Sequence, residues 1–441
     1  MKEAVSIFWF RRDLRLEDNA GLYHALKSGY KVLPLFIFDK EILEKLDDKN
    51  DRRVDFIHQA VEQLKIQLIL LKSDIIVYNG YVTEAFDSIL KSYQIKSVYA
   101  NHDYEPSAIK RDEKIKLLLG KKGVDFHTFK DQCVFEKGEV LKDDGKPYTV
   151  FTPYSKKWKQ KFTGFYSKPY PTKKYFKHFL SFTSSPMPTL EEMGFKKTEI
   201  KLNIPKLNTQ LLQKYKEQRD FPAINGTSRI SMHLRFGTLS IREMVRLAIS
   251  NSETWLNELI WRDFYMMILN HFPHVVDSAF KKEYNNIAWR HDESAFLKWC
   301  KGETGFPIVD AGMRELNATG FMHNRVRMIT ASFLVKDLLI DYKWGEAYFA
   351  EKLNDFDLSA NNGGWQWAAG CGVDAAPYFR IFNPTEQQKR FDPDFAYIKK
   401  WVPEFGTDQY PPPMVDHAAA RKRTLDVYKK SLSEIRQLAL L

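Results

Sequence analysis

The sequence predicts an α/β domain built on a parallel sheet, followed by an all-α domain. Three observations predict it. The chain has 441 residues, more than the ~250 to 300 at which one hydrophobic core stops growing, so at least two domains are expected. Residues 1–130 alternate short apolar runs with amphipathic stretches, an order that yields parallel strands covered by helices on both faces, a Rossmann-like arrangement. From about Leu207 onward a 3.6-residue period dominates, as in packed helices.

Val5 to Trp9 reads as the first strand, Asn19 to Ser28 as a helix closed by Gly29, and Val32 to Phe38 as the second strand. Asp74 to Tyr78, Ser97 to Asn101 and Val124 to Phe126 continue the strands, with helices around Phe56 to Leu68, Val82 to Tyr93 and Ala108 to Leu119. The turn after the first strand, Phe10-Arg11-Arg12-Asp13-Leu14-Arg15, lacks the glycines of a dinucleotide fingerprint, and no Walker loop occurs. Residues 131–200 are rich in Lys, Pro and aromatics without clear periodicity and read as an interdomain connection, leaving 201–441 as the helical domain.

Hydrophobic residues make up 44% and charged residues 28%, which favours a folded core over disorder. No apolar run approaches a membrane span, and Arg11 and Arg12 interrupt any leader-like segment, so a soluble, cytosolic protein is expected. Three cysteines, Cys133, Cys300 and Cys371, show no C-x-x-C spacing, which argues against a disulfide framework and a zinc site. The net charge of +11, with eight Lys and no acid among aromatics between Lys156 and Lys177, suits either a phosphate-binding face or a solvated surface.

Four segments carry candidate chemistry. Trp255, Glu258, Trp261, Arg262 and Tyr265 share a helix face, where Glu258 is either a desolvated hydrogen-bond donor or the partner of Arg262. On a second helix Asn324, Arg327 and Met328 fall together while Arg325 points elsewhere; Arg327 needs a partner, which Asp355-Phe356-Asp357 can supply. His323 lacks a second ligand at metal spacing and reads as structural. Gly226-Thr227-Ser228-Arg229-Ile230-Ser231 offers N–H groups, hydroxyls and a cation at a helix start, either a phosphate cradle or an ordinary cap. Asn361-Asn362-Gly363-Gly364-Trp365-Gln366-Trp367 permits close approach of something flat, or simply packs two Trp at a helix start.

Together with Phe8 to Arg15, Gly305 to Ala311 and Met322 to Phe333, these segments resemble the photolyase/cryptochrome family nearly end to end, and specifically class I DNA photolyases for cyclobutane pyrimidine dimers (CPD). The resemblance implies an antenna domain and a helical domain holding FAD in a bent form. It implies adenine-diphosphate contacts from Tyr215, Thr227, Ser228, Arg229, Ile230 and Ser231. The flavin shell would be Trp255, Glu258, Arg262, Asn324, Arg327, Asp355, Asp357 and Asn361, with Arg327 paired to Asp355 and Asn361 beside flavin N5. Glu258, Asn324, Met328 and Asn361 take the catalytic positions. By the same resemblance Arg219, Arg262, Arg325 and Lys389 would face the lesion strand of UV-damaged DNA, double- or single-stranded, and Trp261 and Trp367 would form the pocket walls. In such enzymes light excites the reduced anionic flavin, an electron passes to the dimer, the ring opens, and the electron returns.

Trp365 and Trp289 match the proximal and distal members of the family's electron-transfer Trp triad, but the middle position is Tyr342, with Trp344 as a detour. The antenna, folate (methenyltetrahydrofolate) or deazaflavin, stays open because the Asn-Glu pair that grips folate falls on Ser107-Ala108. The alternatives are a cryptochrome photoreceptor, disfavoured by the short segment after Tyr410 to His417, a (6-4) photolyase, disfavoured by Met328, and a flavin-free nucleic-acid module. A monomer, nucleoid-associated if bacterial, is expected.

Overall fold

The computed structural model describes residues 3–438. One compact unit contains the chain up to Glu136, Lys161–Lys206 and Ile230–Ser250; the other contains Lys137–Gln160, Leu207–Arg229 and the chain from Asn251 onward. The segment 131–200 is thus shared between the units. The helices Ser231–Phe236 and Ile241–Asn251, expected with the helical domain, belong to the sheet unit.

In the sheet unit, β1 (Ala4–Phe10), β2 (Lys31–Asp39), β3 (Ile76–Gly80), β4 (Gln94–Asn101) and β5 (Asp125–Phe129) form one parallel sheet in the order β3-β2-β1-β4-β5. Successive side chains of β1 enter two cores. Phe8 and Phe10 pack with Leu22, Phe56 and Leu64 on one face, while Val5, Ile7 and Trp9 pack with Ala85, Phe86 and Ile115 on the other. The central strands therefore read as near-continuous apolar runs. Asn19 caps its helix by accepting from Leu22 N, and Gly29 adopts φ +88° just beyond it.

The turn after β1 is filled by its own cations. Arg11 pairs with Asp112, Arg12 with Asp103 and Glu105, and Arg15 with Asp131. Ion pairing also explains why Ile241–Asn251 joins this unit: the buried Arg242 guanidinium donates to Asp18 and Asp131 at 2.7 Å each, and these carboxylates lie far away in sequence, where periodicity gives no sign of them.

The second unit is helical. Its core gathers Trp299, Phe333, Leu334, Phe349 and Trp365 from the helices Glu293–Lys301, Tyr342–Lys352 and Leu358–Ala369 and the π-helical turn Phe333–Asp337. Among the described residues no disulfide forms, and Cys133, Cys300 and Cys371 are buried. No helix among the described residues is long and apolar enough to cross a membrane.

Candidate functional site

The helix Glu253–His271 is started by Ser252, whose hydroxyl accepts from Trp255 N at 3.3 Å. Trp255 is buried, and its indole N–H donates to Ser228 Oγ at 3.2 Å. One turn later the Glu258 carboxylate is paired with Arg219. Burial pushes the Glu258 pKa up and the Arg219 guanidinium opposes that rise. Arg219 also lies 6.0 Å from the ring centre of Tyr215, the first residue of the turn Tyr215–Gln218. Arg262 and Trp261 follow on the same helix, half-buried, with Trp261 stacked on Phe151 at 3.7 Å. The helix spacing anticipated this face but not the ring of Phe151, which comes from the segment 131–200.

Gly226 to Arg229 forms a tight loop. A Cβ on Gly226 would stand 2.9 Å from the Gln218 carbonyl oxygen, and Arg229 adopts φ +49°, left-handed for a non-glycine residue. Among the described residues the backbone N–H groups of Thr227, Ser228 and Arg229 donate to no protein acceptor. Arg229 is exposed, 4.5 Å from the Phe321 ring centre. Ile230 and Ser231 belong to the sheet unit, where Ser231 opens its helix and Ile230, the preceding residue, makes no side-chain cap hydrogen bond. The ordinary capping role is therefore not realised here.

On the helix Asn324–Ser332, capped by His323, the Asn324 amide and the Arg325 guanidinium both approach Met328 Sδ at 3.9 Å. Arg325 thus shares the Met328 surface instead of pointing away, because its long side chain bends along the helix to reach Asp220 at 2.9 Å and the Phe391 ring at 4.3 Å. Arg327 donates to both Asp355 oxygens at 3.0 and 3.1 Å and to the Met322 carbonyl at 2.8 Å. His323 is held neutral, its pKa pushed down by burial to about 4.

Asp357 caps the helix Leu358–Ala369, so Asn361 to Trp367 lies inside a helix and not at its start. That helix can form because the glycines face close neighbours or open space: a Cβ on Gly363 would strike Tyr265 at 2.2 Å, whereas one on Gly364 meets nothing within 4 Å. Asn361 donates to the Glu346 carbonyl at 3.0 Å, and Asn362 to the Glu346 carboxyl at 3.0 Å. Burial pushes Glu346 up to about 7.

The remaining expected residues are more dispersed. Trp365 is buried in the core and Trp367 is half-exposed beside Phe382. Trp289 meets Tyr342 at 6.5 Å. Lys389 is exposed and pairs with Glu386. Asp220, Asn257 and Glu346 escaped sequence reasoning; Asp220 at least adjoined a named cation, whereas the buried Asn257 Oδ1 without a hydrogen-bond partner had no local signal.

These residues fit a flavin dinucleotide. The N–H donors of Thr227 to Arg229 suit a diphosphate, and the Arg327–Asp355 pair with Asn361 supplies the polar edge that an isoalloxazine needs. Residues 255–408 match the model described as the FAD binding domain of DNA photolyase, and residues 6–174 match that of DNA photolyase. The chain belongs to the DNA photolyase family, and its cofactor is FAD. It is similar to the deoxyribodipyrimidine photo-lyase of Alkalihalophilus pseudofirmus, with 37% identity over 97% of this chain and 98% of that one. Among solved structures it is similar to a class III photolyase from Agrobacterium tumefaciens (30% identity, TM-score 0.86, 98% of each chain). It is also similar to a photolyase from Sulfolobus tokodaii holding two FAD molecules (34% identity, TM-score 0.82, 96% of this chain and 99% of that one).

Proposed function

We propose that the protein repairs cyclobutane pyrimidine dimers in DNA with light. The observation that carries this reading is a connected surface in the helical unit. It runs from Glu258 to Arg219, through the neighbouring Asp220 to Arg325, and on to Met328 and Asn324. An acid with a raised pKa and a soft thioether on one connected surface suit two joined neighbouring pyrimidines, apolar on their faces and polar at their edges, and the surrounding cations suit phosphates.

Bound reduced FAD supplies the photoexcited electron. The chain's own residues position and compensate. Glu258, freed from Arg219 and protonated because burial disfavours its charge, donates a hydrogen bond to a dimer carbonyl and offsets the charge it acquires. Arg219, Arg325 and Lys389 hold the strand, while Trp261 and Trp367 present apolar surface to a flipped dimer. Thr227, Ser228 and Arg229, with Tyr215, take the adenine-diphosphate end. Trp255, Arg262, Asn324, Arg327, Asp355, Asp357 and Asn361 take the flavin end. The similarity to deoxyribodipyrimidine photo-lyases supports the substrate. We read the working form as a cytoplasmic monomer acting on double- or single-stranded DNA. For the antenna, Ser107-Ala108 disfavours folate, which leaves deazaflavin or a second FAD of the kind the Sulfolobus tokodaii photolyase holds.

The test is to incubate the reduced, FAD-loaded protein with dimer-containing oligonucleotide and compare light with darkness. Loss of dimers in light alone is expected. No loss in light, with flavin bound and reduced, overturns the reading.

A further inference from the structure

We propose that electrons reach Trp365 during photoreduction through Trp299 from Tyr348, and not through Tyr342. The proposal rests on the reading that places the flavin beside the helix of Trp365. Trp365 is buried, and its ring contacts are Phe349 at 4.9 Å and Trp299 at 6.1 Å, the latter inclined at 73°. Among the described residues no ring contact joins Trp365 to Tyr342, which meets Trp289 instead. Phenylalanine is far harder to oxidise than indole or phenol, so Trp299 is the partner open to an electron hole on Trp365.

From Trp299 the path continues outward. Tyr348 lies 5.8 Å away at 62°, half-exposed, and its hydroxyl donates to Asn317 Oδ1 at 2.6 Å. The difference between the two phenols is where a proton can go. Oxidising a phenol releases a strongly acidic proton. At Tyr348 that proton leaves along a hydrogen bond at the solvent edge. The Tyr342 hydroxyl is buried, and its neighbour there is the Cys371 thiol, which burial keeps protonated and unable to take a proton, so oxidation of Tyr342 would strand the proton in the core. Trp344, the detour expected from sequence, packs against Phe296 and His291. A non-oxidisable ring thus stands between it and Trp299.

The step balances with one electron. Light-excited oxidised flavin is the oxidant and takes an electron from Trp365. Trp299 restores Trp365, Tyr348 restores Trp299, and Tyr348 loses its phenolic proton to water, remaining as a neutral tyrosyl radical. A thiol in solution then returns a hydrogen atom to it.

The experiment is electron paramagnetic resonance on FAD-loaded, oxidised protein frozen during illumination, with flavin absorption confirming that each variant is folded and loaded. A tyrosyl signal is expected in the wild type and in Tyr342→Phe, and its loss in Tyr348→Phe and Trp299→Phe. Should Trp299→Phe, which leaves a smaller ring and removes the indole donor to the Thr330 carbonyl, lose its flavin, the two tyrosine variants decide alone. A signal lost in Tyr342→Phe and kept in Tyr348→Phe overturns the proposal, as does a wild-type radical that is tryptophanyl and unmoved by Trp299→Phe. Trp365→Phe separates the two levels: an unchanged radical there means that the flavin is not beside Trp365 and that the underlying reading fails.

Discussion

Glu258 and Arg219 are held as an ion pair, the acid rising from the helix Glu253–His271 and the cation following the short turn Tyr215–Gln218. Each is about one-third exposed at its side chain, 35% and 34%, so substrate can reach both. The pair keeps both groups satisfied, and in the function proposed above the lesion takes the place of each partner.

Replacing Glu258 tests that relationship. Glu258→Gln retains a hydrogen-bond donor but frees Arg219 from its counter-charge, so affinity for undamaged DNA rises. Glu258→Ala removes the donor as well. The expected result is discrimination between damaged and undamaged DNA lowered about tenfold, the worth of one ordinary hydrogen bond, and a lower repair yield per absorbed photon with FAD content unchanged. Competitive binding and actinometry measure the two quantities; an unchanged yield removes Glu258 from the chemistry.

DNA affinity should depend steeply on salt. Arg325→Ala and Lys389→Ala should each flatten the log–log slope by about 0.9, one duplex phosphate apiece. They differ in stability. Lys389 is exposed and pairs with Glu386, so its loss leaves the melting temperature nearly unchanged. Arg325 also holds Asp220 and covers the Phe391 ring, so its loss lowers the melting temperature and loosens Asp220. Salt titrations by fluorescence anisotropy, with thermal melts alongside, check both.

Glu346 makes a pH prediction. Its folded pKa is raised from 4.5 to about 7, chiefly by burial, so the folded state prefers the protonated acid. The stabilisation from this group is complete below about pH 4.5 and is lost as pH rises through about 7. A shift of that size corresponds to about 3 kcal/mol at most. Glu346→Gln, which keeps an acceptor for Asn362, should flatten the stability profile between these limits and be more stable than wild type at pH 8. Denaturant melts at pH 5 and pH 8 are the measurement.

How much of this was legible in the sequence depends on the range of the interaction. The strands of the first unit were legible because apolar runs flanked by amphipathic stretches are local signals; β4 and β5 run a few residues beyond their expected bounds. The Arg327–Asp355 pair was also accessible, since a cation on an apolar helix face demands a carboxylate. The attachment of Ile241–Asn251 to the sheet unit was hidden because its cause is the buried Arg242 between Asp18 and Asp131. The placement of Asn361 to Trp367 in mid-helix was missed because paired glycines read as a break when helix propensity is considered alone. The contact of Trp299 with Trp365 crosses two helices, and no spacing within either announces it.

Gly364 of that pair yields the last prediction when set against Gly345 of the helix Tyr342–Lys352, because the two respond oppositely to the same added methyl group. A Cβ on Gly345 would stand 2.1 Å from the Trp365 ring and 2.6 Å from Leu334, both buried, so neither can yield without moving the core. Gly345→Ala gains roughly 1 kcal/mol of helix propensity but loses about 1–3 kcal/mol to overpacking, and its melting temperature should fall or at best hold. At Gly364 the methyl group meets nothing within 4 Å. Propensity alone then predicts that Gly364→Ala stabilises the FAD-free protein by up to about 1 kcal/mol. The same residue is exposed and lies one turn from Asn361 on the helix Leu358–Ala369, the face assigned to the isoalloxazine. If the ring lies there, the methyl group occupies its space, and Gly364→Ala should bind FAD at least tenfold more weakly while the apoprotein melts higher. Calorimetry of FAD binding and melts of the stripped protein measure both halves. Unchanged FAD affinity in Gly364→Ala would place the ring elsewhere and leave the glycine without a role in cofactor binding.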